Sequence, residues 1–360
     1  HSAFFVPTGW KVSYAESGAI ILHRCETQSK EATTDAAVEA ALWSRRFAAI
    51  ADAMGDTLQR TALSVNVRDR LDYSCAVLDV NGRLVATAAH IPVHLGALGA
   101  CVRALIKADA FANSNEVVVN HPAFGGSHLP DVTLVTRVLT NTGELCGYVA
   151  SRAHHAELGG SRPGSMPPRA TTLVEEGVVI PPLPYDVENL REVLSSGPYP
   201  SRAVNDNLSD LAAQRAANRE GAVQLAALVE HHGVEQVDAQ QKQLASRACL
   251  AARRALARYR PSKGKLHGIS VLEHASGPQS YVLVTLRWPE NPHEPDATVE
   301  IDFTGTSVQV NGNLNAPLAV TQAAVLYVLR LLVADDIPLS DGILDAIRLI
   351  VPTGTFINPV

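Results

Sequence analysis

A chain of 360 residues that is 46% hydrophobic is long and apolar enough to bury a large core, which excludes a disordered or fibrous protein. Its 30 basic and 36 acidic residues give a formal charge of -6 and form no basic cluster, so no nucleic-acid partner is expected. No apolar run reaches the roughly 20 residues of a bilayer span, and Pro7, Gly9 and Lys11 interrupt any signal peptide, so no membrane partner and a cytoplasmic location are expected.

Residues 4–23 read as two short strands around a polar turn at Glu16, Ser17 and Gly18, and the polar stretch 26–35 reads as a linker. From 36 to 61, Val38, Leu42, Phe47, Ile50, Met54 and Leu58 recur at helical spacing behind Asp35, a suitable N-cap. Strand-like runs follow at 75–78, 83–87, 117–119, 134–139 and 147–150, with a helix over 95–106 among them. Residues 177–202 hold five prolines and read as irregular. Two long amphipathic helices are predicted over 205–231 and 234–259, broken at Gly233. Strands resume at 265–272, 281–288 and 298–303, and a helix follows over 320–333. Strands and helices do not alternate strictly, so the fold class expected is α+β, with mixed sheets and long amphipathic helices. The cysteines Cys25, Cys75, Cys101, Cys146 and Cys249 form no CxxC pair, and Cys75 and Cys146 are expected in the core of a protein from a reducing compartment.

The sharpest chemical constellation is Gly125-Gly126-Ser127-His128-Leu129-Pro130-Asp131 with Ser151-Arg152-Ala153-His154-His155-Ala156-Glu157-Leu158-Gly159-Gly160. Each run lies near a strand edge, and a strand pair would bring the two together. His128, Asp131, His154 and His155 then offer imidazoles and a carboxylate, a donor set that suits a divalent zinc, manganese or iron with open positions. The competing reading is that these histidines satisfy local loop hydrogen bonds. His90 and His94 flank Pro92, which argues against a helical metal pair there; each reads as a general acid or base, or as a satisfied histidine at a strand-to-helix turn. In Arg68-Asp69-Arg70-Leu71-Asp72, a solvated turn competes with a role for Arg70 or Asp72 in holding a substrate carboxylate or orienting a histidine. The run Asn311 to Pro317 gives a turn and then a helix start. Neither a phosphate-cradling G-x-x-x-x-G-K-[ST] run nor a dinucleotide G-x-G-x-x-G occurs.

Taken in order, residues 54–94, NHPAFGGSHLPD (120–131), ASRAHHAELGGSRPGSMPP (150–168), NDNLSDL (205–211) and DFTGTSVQVNGNLNAP (302–317) resemble the hydantoinase B/oxoprolinase family, most of all its oxoprolinase branch. The resemblance implies a hydantoinase-B-like fold over 36–360, incomplete at its C-terminus, with 1–28 as the C-terminal end of a hydantoinase-A-like half of the same polypeptide. It also implies ATP-dependent opening of 5-oxo-L-proline or a related lactam to L-glutamate, with ATP and Mg bound by that preceding half, and a homo-oligomer. On this reading His128, Asp131 and His154 or His155 hold the metal. His94 or His90 moves a proton to the leaving nitrogen, and Arg70 or Arg152 grips the substrate carboxylate. Glu157 departs from the family, where many relatives carry Asp, which argues against a ligand role for it. The alternatives are a hydantoinase-B-type or acetone-carboxylase-type subunit acting on another substrate, and a non-catalytic scaffold with a structural metal.

Overall fold

The structure, a computed structural model, describes residues 10–15, 17, 20–24, 36–88, 91–273, 279–291, 297–333 and 339–360. Two compact units divide the chain, His1–Ala41 and Leu42–Val360. In the first, β1 (Trp10–Tyr14) and β2 (Ile20–Arg24) pair antiparallel with Tyr14 opposite Ile20, as the two apolar runs predicted. Helix α1 (Ala36–Thr61) carries the chain into the second unit. There Trp43, Phe47, Ile50, Met54 and Leu58 are buried while Leu42 is exposed, because the spacing 43, 47, 50, 54, 58 follows one helix face and Leu42 lies off it.

The elements of the larger unit continue with α2 (Val65–Arg68), β3 (Tyr73–Leu78), β4 (Leu84–Thr87), α3 (Pro92–Lys107), β5 (Glu116–Val119), β6 (Asp131–Leu139), β7 (Leu145–His154), α4 (Leu173–Glu176) and β8 (Leu183–Pro184). After them come α5 (Val187–Ser195), α6 (Val204–His232), α7 (Val234–Arg258), β9 (Lys265–Leu272), β10 (Ser280–Arg287), β11 (Val299–Asp302), α8 (Leu318–Leu332) and β12 (Ile347–Ile350). One antiparallel sheet has the order β4-β3-β7-β6-β5-β8. Alternation along its strands makes two apolar faces. Ala76, Val135 and Ala150 pack on Leu98, Cys101 and Leu105 of α3. Val118, Val132 and Leu134 pack on Leu190 and Leu194 of α5 and Leu211 of α6. The second sheet, β12-β11-β10-β9, is mixed, with β11 and β12 parallel, and its core joins Leu256, Trp288, Ile301, Phe303 and Leu326. The fold is α+β with mixed sheets.

Elements α2, α4, β8 and β12 have no counterpart in the sequence reading, and three of the longer helices differ from it. Helix α3 starts at Pro92, a residue suited to the first helical position because it has no N–H to leave unpaired. Helix α5 interrupts the proline-rich stretch, capped by Asp186, whose carboxylate accepts the Asn189 N–H at 2.9 Å. Helix α6 is not amphipathic in the expected sense, since its buried face carries Asn207, Asp210, Gln214 and Asn218. Strand carbonyls keep a second lone pair, and the amides of α6 use it. Gln214 Nε2 donates to Val132 O (3.0 Å) and Ser151 O (3.2 Å), and Asn218 Nδ2 donates to Leu134 O (3.0 Å). Helix α7 does bury an apolar face, with Val237, Leu244, Ala248 and Leu256. Cys75, Cys101, Cys146 and Cys249 are buried thiols, and Cys25 lies outside the described residues. Among the described residues no helix is long and apolar enough to cross a membrane.

Candidate metal centre

Strand register builds the site. Asp131 pairs with His154 and Thr133 with Arg152 across β6 and β7, while β3 sets Ser74 opposite Arg152 on the other edge. Side chains alternate along a strand, so these five residues share the α3 face of the sheet, just beyond its apolar contacts with α3.

The segment before β6 is folded onto the same end. Asn120 anchors it, donating from Nδ2 to Leu129 O (2.8 Å) and Val178 O (2.9 Å) and accepting from the Ile180 N–H (2.7 Å). Gly125 has φ +78°, and a Cβ there would lie 2.6 Å from the Cys101 backbone, so glycine is what lets this turn press on α3. The Asp131 N–H donates to His128 O at 3.0 Å, which brings the His128 ring back over the Asp131 carboxylate.

Three donor atoms converge there: His128 Nε2 is 2.9 Å from Asp131 Oδ1, and His154 Nδ1 is 3.1 Å from each of them. The three residues form a group that could hold a metal ion. An ion about 2.1 Å from three donors separates them by roughly 3.0 Å on an octahedral face and roughly 3.4 Å on a tetrahedral one. The observed triangle of 2.9, 3.1 and 3.1 Å fits the first, and His128 is still partly open to solvent. Two imidazole nitrogens and a carboxylate oxygen are all groups that can turn a lone pair onto a cation or share protons with one another.

The second carboxylate oxygen is held from behind. Asp131 Oδ2 accepts from the Ser127 hydroxyl and from His94 Nε2 at 3.2 Å, and His94 Nδ1 lies 3.2 Å from Ser74 Oγ. His94 thus bridges the Asp131 carboxylate and the Ser74 hydroxyl through its two ring nitrogens. Burial opposes ionisation of Asp131, but hydrogen bonds from His128, His154 and His94 outweigh it and hold the carboxyl well below the usual carboxylate range. Burial also pushes the His128 imidazolium down, yet Asp131 more than restores it, so His128 titrates above an ordinary histidine. At the rim, Leu71 takes φ +56°, and the next residue, Asp72, places Oδ2 4.0 Å from His154 Nδ1. Glu176, half-buried at the end of α4, has its carboxyl pushed up by burial, against the influence of His128.

The remaining predicted residues fall elsewhere. His155 faces α6, not the cluster: Nε2 meets Gln214 Oε1 at 3.1 Å and Nδ1 meets Asn207 Nδ2 at 3.2 Å, so neither nitrogen is free to ligate. Arg152 is fully buried, with Nε donating to Thr133 Oγ1 and Nη2 to Gly125 O, both at 2.8 Å, which removes it as a clamp for a diffusing substrate. His94 is buried beneath Asp131, out of reach of a leaving group. Arg70 is exposed, and its guanidinium makes no hydrogen bond or ion pair among the described residues. His90 lies outside the described residues. Glu157 staples its own loop, accepting from the N–H groups of Gly159 (2.7 Å) and Gly164 (2.8 Å) and from Arg202 Nη1 (2.9 Å). Ser74, Ser127 and Glu176 were not singled out from sequence; strand parity with Arg152 marks Ser74, and nothing local marks Glu176.

A sequence model of the hydantoinase B/oxoprolinase family matches residues 36–360. The chain is similar to 5-oxoprolinase 1 of Arabidopsis thaliana, 39% identical over 89% of this chain and 27% of the relative. It is also similar to 5-oxoprolinase of Saccharomyces cerevisiae, 38% identical over 88% of this chain and 25% of the relative. It thus spans about a quarter of the length of these relatives. Among solved structures, the ATP-dependent caprolactamase of Pseudomonas jessenii superposes with a TM-score of 0.75 at 26% identity, covering 91% of this chain and 56% of that one.

Proposed function

The chain belongs to the hydantoinase B/oxoprolinase family, and from that premise we propose that it is the ring-opening part of an ATP-dependent lactam hydrolase that converts 5-oxo-L-proline to L-glutamate. The observation that carries this reading is the triangle of His128, Asp131 and His154 at the partly open end of the sheet. The relatives' names support the substrate, since two are 5-oxoprolinases and a structural neighbour is a caprolactamase.

A lactam is a resonance-stabilised amide and a poor electrophile. ATP and Mg, bound by a hydantoinase-A-like half of the same polypeptide, convert its oxygen into a phosphorylated leaving group. Water then adds at the activated carbon, and the ring C–N bond breaks as the nitrogen takes up a proton. The γ-glutamyl phosphate so formed is hydrolysed by a second water to glutamate and phosphate, ADP having formed in the phosphorylation. His128 Nε2, Asp131 Oδ1 and His154 Nδ1 are the atoms that would hold a divalent zinc, manganese or iron. When bound, such an ion supplies a Lewis acid that lowers the pKa of water toward ~7. His94 and Ser127 fix the Asp131 carboxylate so that Oδ1 stays turned to the open side. Arg70, exposed two residues before Asp72, is assigned to the substrate carboxylate.

Metal analysis of the full-length protein, with glutamate and ADP release measured side by side on 5-oxoproline, tests this. Turnover of 5-oxoproline that disappears in His128→Ala is the expected result. Activity on caprolactam or a hydantoin and none on 5-oxoproline would overturn the substrate.

A further inference from the structure

Arg152 is a guanidinium at 0% exposure with no carboxylate among its hydrogen-bond partners. Burying a charge with so little compensation is costly, by several kcal/mol in the general case. One of its nitrogens, Nη1, is buried with no nitrogen or oxygen partner, and the Cys101 thiol lies within reach of the guanidinium. The other contacts have a pattern. Arg152 sits on β7 two residues before His154 and on the same face. Its Nε donates at 2.8 Å to Thr133 Oγ1 on β6, two residues after Asp131. Its Nη2 donates at 2.8 Å to Gly125 O, three residues before His128, in the turn that α3 presses from the other side at Cys101. One planar side chain therefore touches each of the three segments that carry a donor atom, and its rigid fork fixes their mutual distance in a way a flexible ammonium would not.

Resting on the metal reading above, we infer that Arg152 is the positioning residue of the centre: its buried fork ties β6, β7 and the Gly125 turn together so that His128, Asp131 and His154 stay within ligand distance. It touches neither the ligand atoms nor the substrate. Removing it leaves all three donors present but mutually loose.

The experiment uses the full-length protein, stripped of metal and titrated with Co(II), whose visible bands report coordination geometry. Parent, Arg152→Ala, Arg152→Lys and Thr133→Val are compared. Loss of a group that orients metal ligands typically weakens affinity 10–100-fold. Arg152→Ala is expected to bind Co(II) in that weakened range with an altered spectrum, and added guanidinium is expected to restore both. Arg152→Lys should fail to restore the parent spectrum, since an ammonium cannot span the two acceptors. Thr133→Val keeps the shape and removes one acceptor, so it should lower affinity several-fold even if the alanine variant does not fold. A residue that merely stabilises the sheet would lower the melting temperature and leave the spectrum of folded protein unchanged. Parent-like Co(II) affinity and spectrum in both Arg152→Ala and Thr133→Val would overturn the inference alone. A parent protein that takes up no Co(II), zinc, manganese or iron would overturn it together with the metal reading.

Discussion

His154 and His155 are consecutive in the chain and serve opposite faces of one sheet: His154 Nδ1 lies 3.1 Å from Asp131 on the α3 side, and His155 Nε2 lies 3.1 Å from Gln214 on the α6 side. The alternation of a β-strand accounts for this, and it divides the two imidazoles between the candidate metal centre and a structural network. Replacing each in turn should therefore give different losses. His154→Ala should abolish metal retention and glutamate formation in the full-length protein while leaving the melting temperature of the metal-free protein nearly unchanged. His155→Ala should retain metal but lose about 1–3 kcal/mol of stability, because the buried amides of Asn207 and Gln214 lose a partner. Metal content and urea midpoints on both variants check it, and equal metal loss in the two would count against the assignment.

The same histidine sets a pH dependence. Asn207 Nδ2 can only donate and Gln214 Oε1 can only accept, so His155 is held neutral with its proton on Nε2. Burial, the largest cause, lowers its pKa below the ordinary histidine value. Above that ordinary value, about 6.5, folded and unfolded chains both carry a neutral ring and no slope arises. Below it the unfolded chain takes up a proton that the folded chain refuses, so stability falls as the solution turns acid. Denaturation midpoints of metal-free protein at about pH 7.5 and about pH 5.5 should show a smaller decline in His155→Gln than in the parent.

His94 holds the carboxylate from behind, and its effect should appear in affinity before it appears in fold. His94→Gln keeps a donor near Asp131 Oδ2 but loses the link to Ser74. Metal affinity should fall 10–100-fold, the usual consequence of disturbing the group that orients a ligand. Isothermal titration of the stripped protein with zinc reads this directly. Unchanged affinity would show that Ser127 alone suffices to set Asp131.

Much of this was legible in the sequence, and the rest was hidden for identifiable reasons. The two ligand runs stood out because His128, Asp131 and the His154-His155 pair flank glycines at strand edges. Which of the paired histidines turns inward was not legible, because the strand was read as ending at 150 whereas β7 continues to His154; carried that far, parity with Ala150 and Arg152 selects His154. Helix α5 was masked by its neighbouring prolines, although Asp186 with Asn189 is a capping signal and Leu190 with Leu194 a buried pair. The amide stripe of α6 could not be read at all: Gln214 and Asn218 look solvent-facing until the carbonyls of β6 and β7 are in place to receive them.

The proposed division of labour between this chain and a nucleotide-binding half can be tested directly. The residues described here gather imidazoles and a carboxylate, donors suited to a divalent ion and to activating water, and the sequence holds no phosphate-cradling run. Without activation, attack on the lactam must overcome the resonance of the amide bond. These 360 residues supplied with ATP and 5-oxoproline should therefore release no glutamate above background, while the full-length protein couples one ADP to each glutamate. Arg70→Ala in the full-length protein should raise KM for 5-oxoproline far more than it lowers kcat, since the exposed guanidinium is assigned to the substrate carboxylate and not to the reacting bond. Glutamate and ADP quantified in the same reaction decide both points. Robust ATP-dependent glutamate release by the 360 residues alone would place the nucleotide chemistry in this chain and sink the assignment of the halves.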